Sequence, residues 1–383
     1  MVLTNGQEKG LKIAVKRFKD KEPYTVIAGF AGTGKTTLVK YIIDAIGMSE
    51  DEVVYATLTG KAALVLRNKG CSNSMTLHKL LYFPKEVDGC DEVEFVPRKF
   101  LENPPKLIVV DEASMVSKEI FDLLLSHKVH VIFLGDPFQL PAISESASIL
   151  DEPHVFLTEI TRQALDSPII RLSMDIREGK ALTYGGDKDA RVIPMDKVSK
   201  RLLLGADIVL CGKNATRRYL NDEIRKLKWG QQYQVGPVNG EKLICNHNYW
   251  KIADKLGSTP LVNGSIGILT DISMHDTKKL KPKLTGVFTD EVGNVFRKKD
   301  MNIDYQLLAT GNPTVNQQNF REFTRTSRPL EFDYAYAVTC HKYQGSEAEK
   351  VLVFDEWLGD AEYHRRWLYS AATRGRRMLV IVK

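Results

Sequence analysis

At 383 residues, with 43% hydrophobic and 27% charged residues, the chain has ordinary globular composition and enough length for two or three domains. Its apolar runs are strand-sized, short of the roughly 20 residues that span a bilayer, so no membrane helix is expected. A net charge of +6 is compatible with a polyanionic partner without requiring one, and five scattered cysteines with no C-x-x-C pair argue against a zinc site or a disulfide framework.

The first residues lack a basic segment followed by an apolar core and a small-residue cleavage site, so no secretory signal is expected. A helical pattern follows (Leu11, Val15, Phe18), with Thr4 or Asn5 as its N-cap. Within it Gln7 reads either as a solvated glutamine or as an amide that pairs with adenine N6 and N7. The apolar run Tyr24–Ala28 then leads into Gly29-Phe-Ala-Gly-Thr-Gly-Lys35-Thr36, which fits G-x-x-x-x-G-K-[ST]. Glycines let successive N–H groups point into one concavity, and the helix that follows adds the positive end of its dipole. A triphosphate fits there, with Lys35 reaching the β- and γ-phosphates and the Thr36 hydroxyl holding Mg²⁺. Gly32, Thr33, Gly34 and Thr37 complete the expected nucleotide-binding loop.

Val53–Ala56 reads as a second buried strand, turning through Thr59-Gly60-Lys61 into a helix. Thr59 and Lys61 either hold a phosphate of a nucleic-acid backbone or belong to an ordinary strand-to-helix turn. His78 is either a core histidine or a phosphate or base contact. From Tyr82 to Phe100 the pattern changes to short alternating segments about Asp88-Gly89, a hairpin insertion that is either a surface loop or a wedge against a duplex.

Leu107–Val110 ends in Asp111-Glu112. One carboxylate suits Mg²⁺ coordination and the other suits orienting and deprotonating an attacking water, a division that hydrolysis needs and a bare binding site does not. Val129–Leu134 is a further buried strand, followed by Gly135-Asp136-Pro-Phe-Gln139-Leu-Pro141, where the Gln139 amide can register a γ-phosphate. After Arg162 a second α/β series begins near Asp207. Between Asp196 and Lys228 there are nine Lys/Arg against four Asp/Glu, with Lys213, Asn214, Arg217, Arg218, Asn221 and Arg225 on one expected helix. This basic face is either a solvated surface or the wall of a single-strand channel.

The ordered set formed by Gln7, the phosphate loop, Thr59-Gly-Lys61-Ala-Ala, Thr76-Leu-His78, Asp111-Glu112-Ala-Ser, Gly135-Asp-Pro-Phe-Gln139-Leu-Pro, Thr161-Arg162-Gln, His341-Lys342-Tyr-Gln344-Gly-Ser346-Glu347 and Thr373-Arg374-Gly-Arg resembles superfamily 1 helicases of the RecD-like branch, which includes the phage Dda-type helicases. The resemblance covers most of the chain outside about 230–330. It implies an α/β fold with two RecA-like P-loop NTPase domains: residues 1–160 with a hairpin insertion at 82–103, and residues 161–230 with 331–383, interrupted at 231–330 by a small SH3-like β-barrel. The Lys278, Lys279, Lys281 and Lys283 cluster in that insertion suits phosphate contacts or a solubilising loop.

The same resemblance implies that Gln7 recognises adenine, that Arg162 and Arg374 are arginine fingers, and that Gln344 and Glu347 complete the nucleotide site. Thr59, Lys61, His78, Thr339, His341, Lys342 and Ser346 would face single-stranded DNA. Tyr343, where many relatives carry a small residue, either stacks on a base or packs under its loop. The implied activity is ATP-driven movement on single-stranded DNA, 5′ to 3′, with unwinding at junctions. The implied setting is a monomer in the cytoplasm (the host's, for a phage-encoded chain) beside replication or recombination proteins. An alternative is a nucleic-acid-dependent ATPase that remodels protein–DNA complexes without processive unwinding. A nucleotide-dependent scaffold has no need of Glu112, Gln139 and two distal arginines, and a kinase or GTPase has no use for the second half.

Overall fold

The computed structural model describes residues 3–68, 70–86, 93–141, 148–256, 260–277, 280–315 and 328–383. The chain packs as two compact units, one comprising Met1–Lys85, Phe95–Met195 and Gln344–Lys383, the other Glu86–Glu94 and Asp196–Tyr343. These divisions follow packing, whereas the boundaries expected at 160, 230 and 330 follow where each strand-and-helix series begins.

The first unit is built on a parallel six-stranded sheet. Its strands are β1 (Tyr24–Gly29), β2 (Val53–Thr57), β3 (Ser74–Thr76), β6 (Leu107–Val110), β7 (His130–Gly135) and β8 (Val155–Leu157), in the order β3-β2-β6-β7-β1-β8, while β4 (Tyr82–Glu86) pairs with β5 (Val93–Pro97) in a separate ribbon. The strands read as unbroken apolar runs because both faces are covered. Val26, Ile108, Val110 and Phe133 enter one core with Leu77, Leu81, Ile120 and Leu124. Ile27, Leu107, Val109, Ile132 and Leu134 enter the other, against Ala14 of helix Asn5–Lys19 and Leu38, Val39 and Ile42 of helix Lys35–Ile46. Thr4 is the N-cap of the first of these helices. Since β6, β7 and β1 are parallel neighbours, the segments after their last residues emerge at one edge of the sheet, bringing together the three motifs that follow them.

The same unit holds a second parallel set, in which Gly375–Val382 lies between Ala348–Phe354 and Ala190–Ile193. Helices Pro168–Arg177 and Ala361–Ala372 pack on each other, and the latter delivers the chain to Arg374.

In the second unit Ile208–Cys211 runs parallel to Ala337–Thr339 beside helix Asn214–Trp229. The expected basic face of that helix is narrower than its sequence suggests. Lys213, Asn214 and Arg218 are exposed, but Arg217 pairs with Asp333 at 3.1 Å, and Asn221 and Arg225 lie inside with Leu220 and Ile224. Asn221 is buried because its amide completes a strand edge, accepting from the N–H groups of Tyr336 and Ala337 and donating to the Ala337 carbonyl. Residues 241–245, 266–277 and 280–290 form an antiparallel sheet extended by 332–334 and 295–296, over a core that includes Leu243, Leu269, Phe288 and Phe332. Of the lysine cluster, Lys283 is exposed, Lys278 and Lys279 lie outside the described residues, as do Asp88 and Gly89 of the ribbon, and the side chain of Lys281 is not described.

Arg225 and Glu241 form a buried ion pair at 3.1 Å, with the guanidinium also donating to the Tyr233 and Gly236 carbonyls. Glu241 is fully buried and accepts from Trp229 and from the Val238 N–H. Removing one partner of such a pair leaves an uncompensated charge, so Glu241→Ala should lower unfolding stability by about 3 kcal/mol, read by urea denaturation. A loss below about 1 kcal/mol would show that the arginine's carbonyl partners suffice.

Candidate nucleotide site and nucleic-acid face

The loop after β1 takes the shape its glycines permit. Gly32 and Gly34 have φ of +79° and +76°, and a Cβ at Gly34 would lie 2.5 Å from Gln7 Nε2. Lys35 opens the following helix, and its Nζ donates to the Gly29 and Phe30 carbonyls at 2.7 and 3.1 Å. The ammonium is thus held within the loop's own curl, where phosphate oxygens would replace carbonyls as acceptors. Gln7 is buried and held at both ends of its amide: Oε1 accepts from the Thr4 N–H, completing a capping box, and Nε2 donates to the Thr33 carbonyl. It is not the solvated glutamine that its helical position allows.

Asp111 and Glu112 follow β6 directly. The Asp111 N–H continues the sheet to the Ala56 carbonyl, and its Oδ1 accepts from the Glu112 N–H at 2.9 Å. Glu112 adopts φ of +56°, a conformation a non-glycine residue holds only when its surroundings fix it, and one that collects at functional sites. Enclosure pushes its carboxyl up from the ordinary glutamate range; Arg374 opposes that shift, while Asp111 adds to it. Arg374 Nη1 stands 3.6 Å from Glu112 Oε1. Arg374 is 5% exposed, and its guanidinium donates to the Ser370 and Ser346 carbonyls and to Thr373 Oγ1. Arg162 begins the short helix Arg162–Leu165; its side chain is not among those described.

The segment after β7 is tied from several sides. Asp136 accepts from the Phe138 N–H at Oδ1 and from the Tyr369 hydroxyl at Oδ2, the latter at 2.6 Å. Gln139 is buried, and its carbonyl and that of Pro137 accept from Arg366. The Leu140 N–H donates to Ser370 Oγ, and the Leu140 carbonyl accepts from Gln344 Nε2. Asp136, Arg366, Tyr369 and Ser370 were not singled out by sequence reasoning. Residues 136 and 369 lie 233 positions apart in the chain, and no local pattern joins them.

Among the residues expected to face DNA, Thr59, Lys61, His78 and Ser346 lie in the first unit, and Thr339, His341 and Lys342 in the second. Thr59 Oγ1 accepts from the Ala62 N–H, so it caps the turn into its helix. His78 is exposed and stacked on Tyr82 with ring centroids 5.5 Å apart, which sets aside its core reading. Burial lowers the pKa of both His341 and Lys342; the Lys342 ammonium is held by Asn246 Oδ1. Tyr343 is 2% exposed, so it packs rather than offering a face to a base. Glu347 lies 3.8 Å from Arg376. The described cysteines, Cys71, Cys211, Cys245 and Cys340, are buried free thiols, and Cys90 lies outside the described residues. No helix among the described residues is long and apolar enough to cross a membrane.

Comparison with known proteins agrees with this arrangement. An AAA domain family model matches residues 3–191, and a UvrD-like helicase C-terminal domain model matches residues 334–382. The ATP-dependent DNA helicase dda of Enterobacteria phage T4 is 30% identical over 192 residues, which are 46% of this chain and 43% of that protein. The ATP-dependent RecD2 DNA helicase of Deinococcus radiodurans is 30% identical over 375 residues, 92% of this chain and 46% of that protein. The chain therefore spans less than half the length of these curated relatives. Among solved structures, the Pif1 helicase from Bacteroides in complex with ADP-AlF3 and single-stranded DNA shares the fold, with a TM-score of 0.54 at 20% identity, over 100% of this chain and 92% of that one. The paired family matches and these relatives make the chain similar to the superfamily 1 helicases of the RecD-like branch.

Proposed function

We propose that the chain is an ATP-driven DNA helicase that moves 5′ to 3′ on single-stranded DNA and separates strands at duplex junctions. The observation that carries the reading is the gathering, within one compact unit, of a phosphate loop and its lysine, two strand-end carboxylates, and Arg374 beside Glu112. A bare nucleotide-binding protein has no need of this set. In the proposed step water attacks the γ-phosphorus, Glu112 takes its proton, and the bond from the γ-phosphorus to the leaving oxygen breaks to release ADP and phosphate. Lys35 holds the phosphates, Gln139 registers the γ-phosphate, and Arg374 with Arg162 stabilises charge on the transferring group.

The site fits the implied metal, since Thr36 and Asp111 offer the hard oxygen donors that Mg²⁺ takes. When bound, Mg²⁺ would neutralise charge on the β- and γ-oxygens. Gly32, Thr33, Gly34 and Thr37 would complete the phosphate cradle, with Gln7, Gln344 and Glu347 at the base and sugar. Thr59, Lys61, His78, Thr339, His341, Lys342 and Ser346 form the proposed DNA face. We assign residues 1–160 to a first RecA-like domain, residues 161–230 and 331–383 to a second, the ribbon at 82–103 to a hairpin insertion, and 231–330 to a small SH3-like barrel. The proposed setting is a cytoplasmic monomer working beside replication or recombination proteins.

A tailed-duplex assay tests motor, substrate and polarity together. A 5′ overhang should support ATP-dependent unwinding and a 3′ overhang should not, and single-stranded DNA should stimulate hydrolysis. Hydrolysis indifferent to single-stranded DNA would remove the motor reading, and unwinding only from a 3′ tail would reverse the polarity.

A further inference from the structure

One peptide unit of the phosphate loop is bonded at both ends. The carbonyl of Phe30 accepts from Lys35 Nζ at 3.1 Å, and the N–H on the other side of the same peptide bond, that of Ala31, donates to the Tyr369 hydroxyl at 2.9 Å. The Tyr369 hydroxyl in turn donates to Asp136 Oδ2 at 2.6 Å. A continuous chain therefore runs from the lysine ammonium, through the 30–31 peptide and a phenol, to the Asp136 carboxylate of the Gly135–Leu140 segment. Tyr369 and Asp136 are 1% and 2% exposed, so water does not compete for these bonds. Enclosure, reinforced by the Asp136 charge, pushes the phenol above its ordinary range and keeps it a donor.

The far end of the chain is equally tied. Asp136 Oδ1 accepts from the Phe138 N–H, and the Phe138 ring meets the Tyr369 ring edge-on with centroids 5.3 Å apart. Tyr369 and Ser370 both lie on helix Ala361–Ala372, and the Arg374 N–H bonds back to the Ala371 carbonyl. One helix thus carries the hydroxyl that touches the phosphate loop, the serine that holds Leu140, and the approach to Arg374.

We propose that Tyr369 is a positioning residue for ATP hydrolysis, linking the state of Lys35 to the placement of Gln139 and Arg374. The proposal rests on the ATPase reading above. When phosphate draws Lys35 off the Phe30 carbonyl, the 30–31 peptide loses the polarisation that strengthens its N–H as a donor, and the Tyr369 and Asp136 bonds weaken in turn. Occupancy of the loop is thereby passed to the segment that bears Gln139 and to the helix that leads to Arg374, without a contact between Tyr369 and the nucleotide.

The test is Tyr369→Phe, which deletes the hydroxyl and keeps the ring against Phe138. Its DNA-stimulated kcat should fall about tenfold while KM and the affinity for a fluorescent ATP analogue stay within about threefold, with Tm lowered by the loss of two buried hydrogen bonds but still above the assay temperature. Asp136→Asn should do the same, and the double variant should be no slower than the slower single one, because both changes cut the same chain. If Tyr369→Phe leaves Asp136 so poorly satisfied that the protein fails to fold, the double variant, which removes the buried charge as well, decides by the same kcat reading. A kcat within twofold of wild type, or losses that multiply across the two positions, would overturn the proposal and leave the ATPase reading standing. A wild-type protein with no turnover would overturn both.

Discussion

Arg374→Ala should bind ATP nearly as the wild type does and lose turnover by a factor on the order of 10³. The argument begins with how the side chain is held. Its Nε donates to the Ser370 carbonyl, Nη1 to the Ser346 carbonyl and Nη2 to Thr373 Oγ1, which leaves little freedom to the guanidinium beside Glu112. A cation fixed in advance in an enclosed site adds most where charge develops in the transition state, and adds little to the binding of a nucleotide already gripped by a glycine loop and Lys35. Arg374→Lys should rescue poorly, because one ammonium cannot satisfy three acceptors and still reach the site. A pH profile separates the role from simple loss of packing. Arg374 favours the Glu112 carboxylate, so its removal should move the acid limb of kcat/KM to higher pH. An unchanged kcat in stopped-flow phosphate release would refute the finger role; a loss with no shift of the limb would refute the electrostatic link to Glu112.

The parts of the site that were legible in the sequence are those in which chemistry is contiguous with a strand end. Gly29–Thr36, Asp111-Glu112 and Gly135–Gln139 each follow an apolar run, and the parallel order β6-β7-β1 places all three at one edge. What sequence could not supply is tertiary exchange of hydrogen bonds. Gln7 has the right residue type for a base contact, yet its amide spends both ends on Thr4 and Thr33. Asn221 and Arg225 look like solvated helix residues until a strand edge and Glu241 claim them. Tyr343 is decided by burial alone. The Tyr369–Asp136 bond joins a helix to a loop 233 residues away, a separation at which no local pattern operates.

Glu112→Gln should slow hydrolysis by about 10³ as well, and the reason it should not also weaken the fold lies in its titration. The side chain is close to isosteric, so the left-handed backbone at φ +56° and the bond from its N–H to Asp111 can persist. What disappears is the proton acceptor for the attacking water. Enclosure, the largest influence on this carboxyl, outweighs the attraction of Arg374 and raises its pKa in the folded state. A raised carboxyl pKa means that the native state binds the proton more tightly than the unfolded chain does. The stabilisation from that proton is present below the unfolded pKa and is lost as pH rises through the folded one. Above the folded pKa the wild type therefore bears the cost of a partly enclosed carboxylate, which glutamine, resembling the protonated acid, avoids. Glu112→Gln should accordingly be at least as stable as the wild type at pH 7, and its advantage should shrink as pH falls below the folded pKa of Glu112. Single-turnover hydrolysis alongside urea denaturation at two pH values checks both halves. Turnover within tenfold of wild type would remove Glu112 as the base, and a variant less stable at pH 7 would show that the charge left on Arg374 outweighs the relief at Glu112.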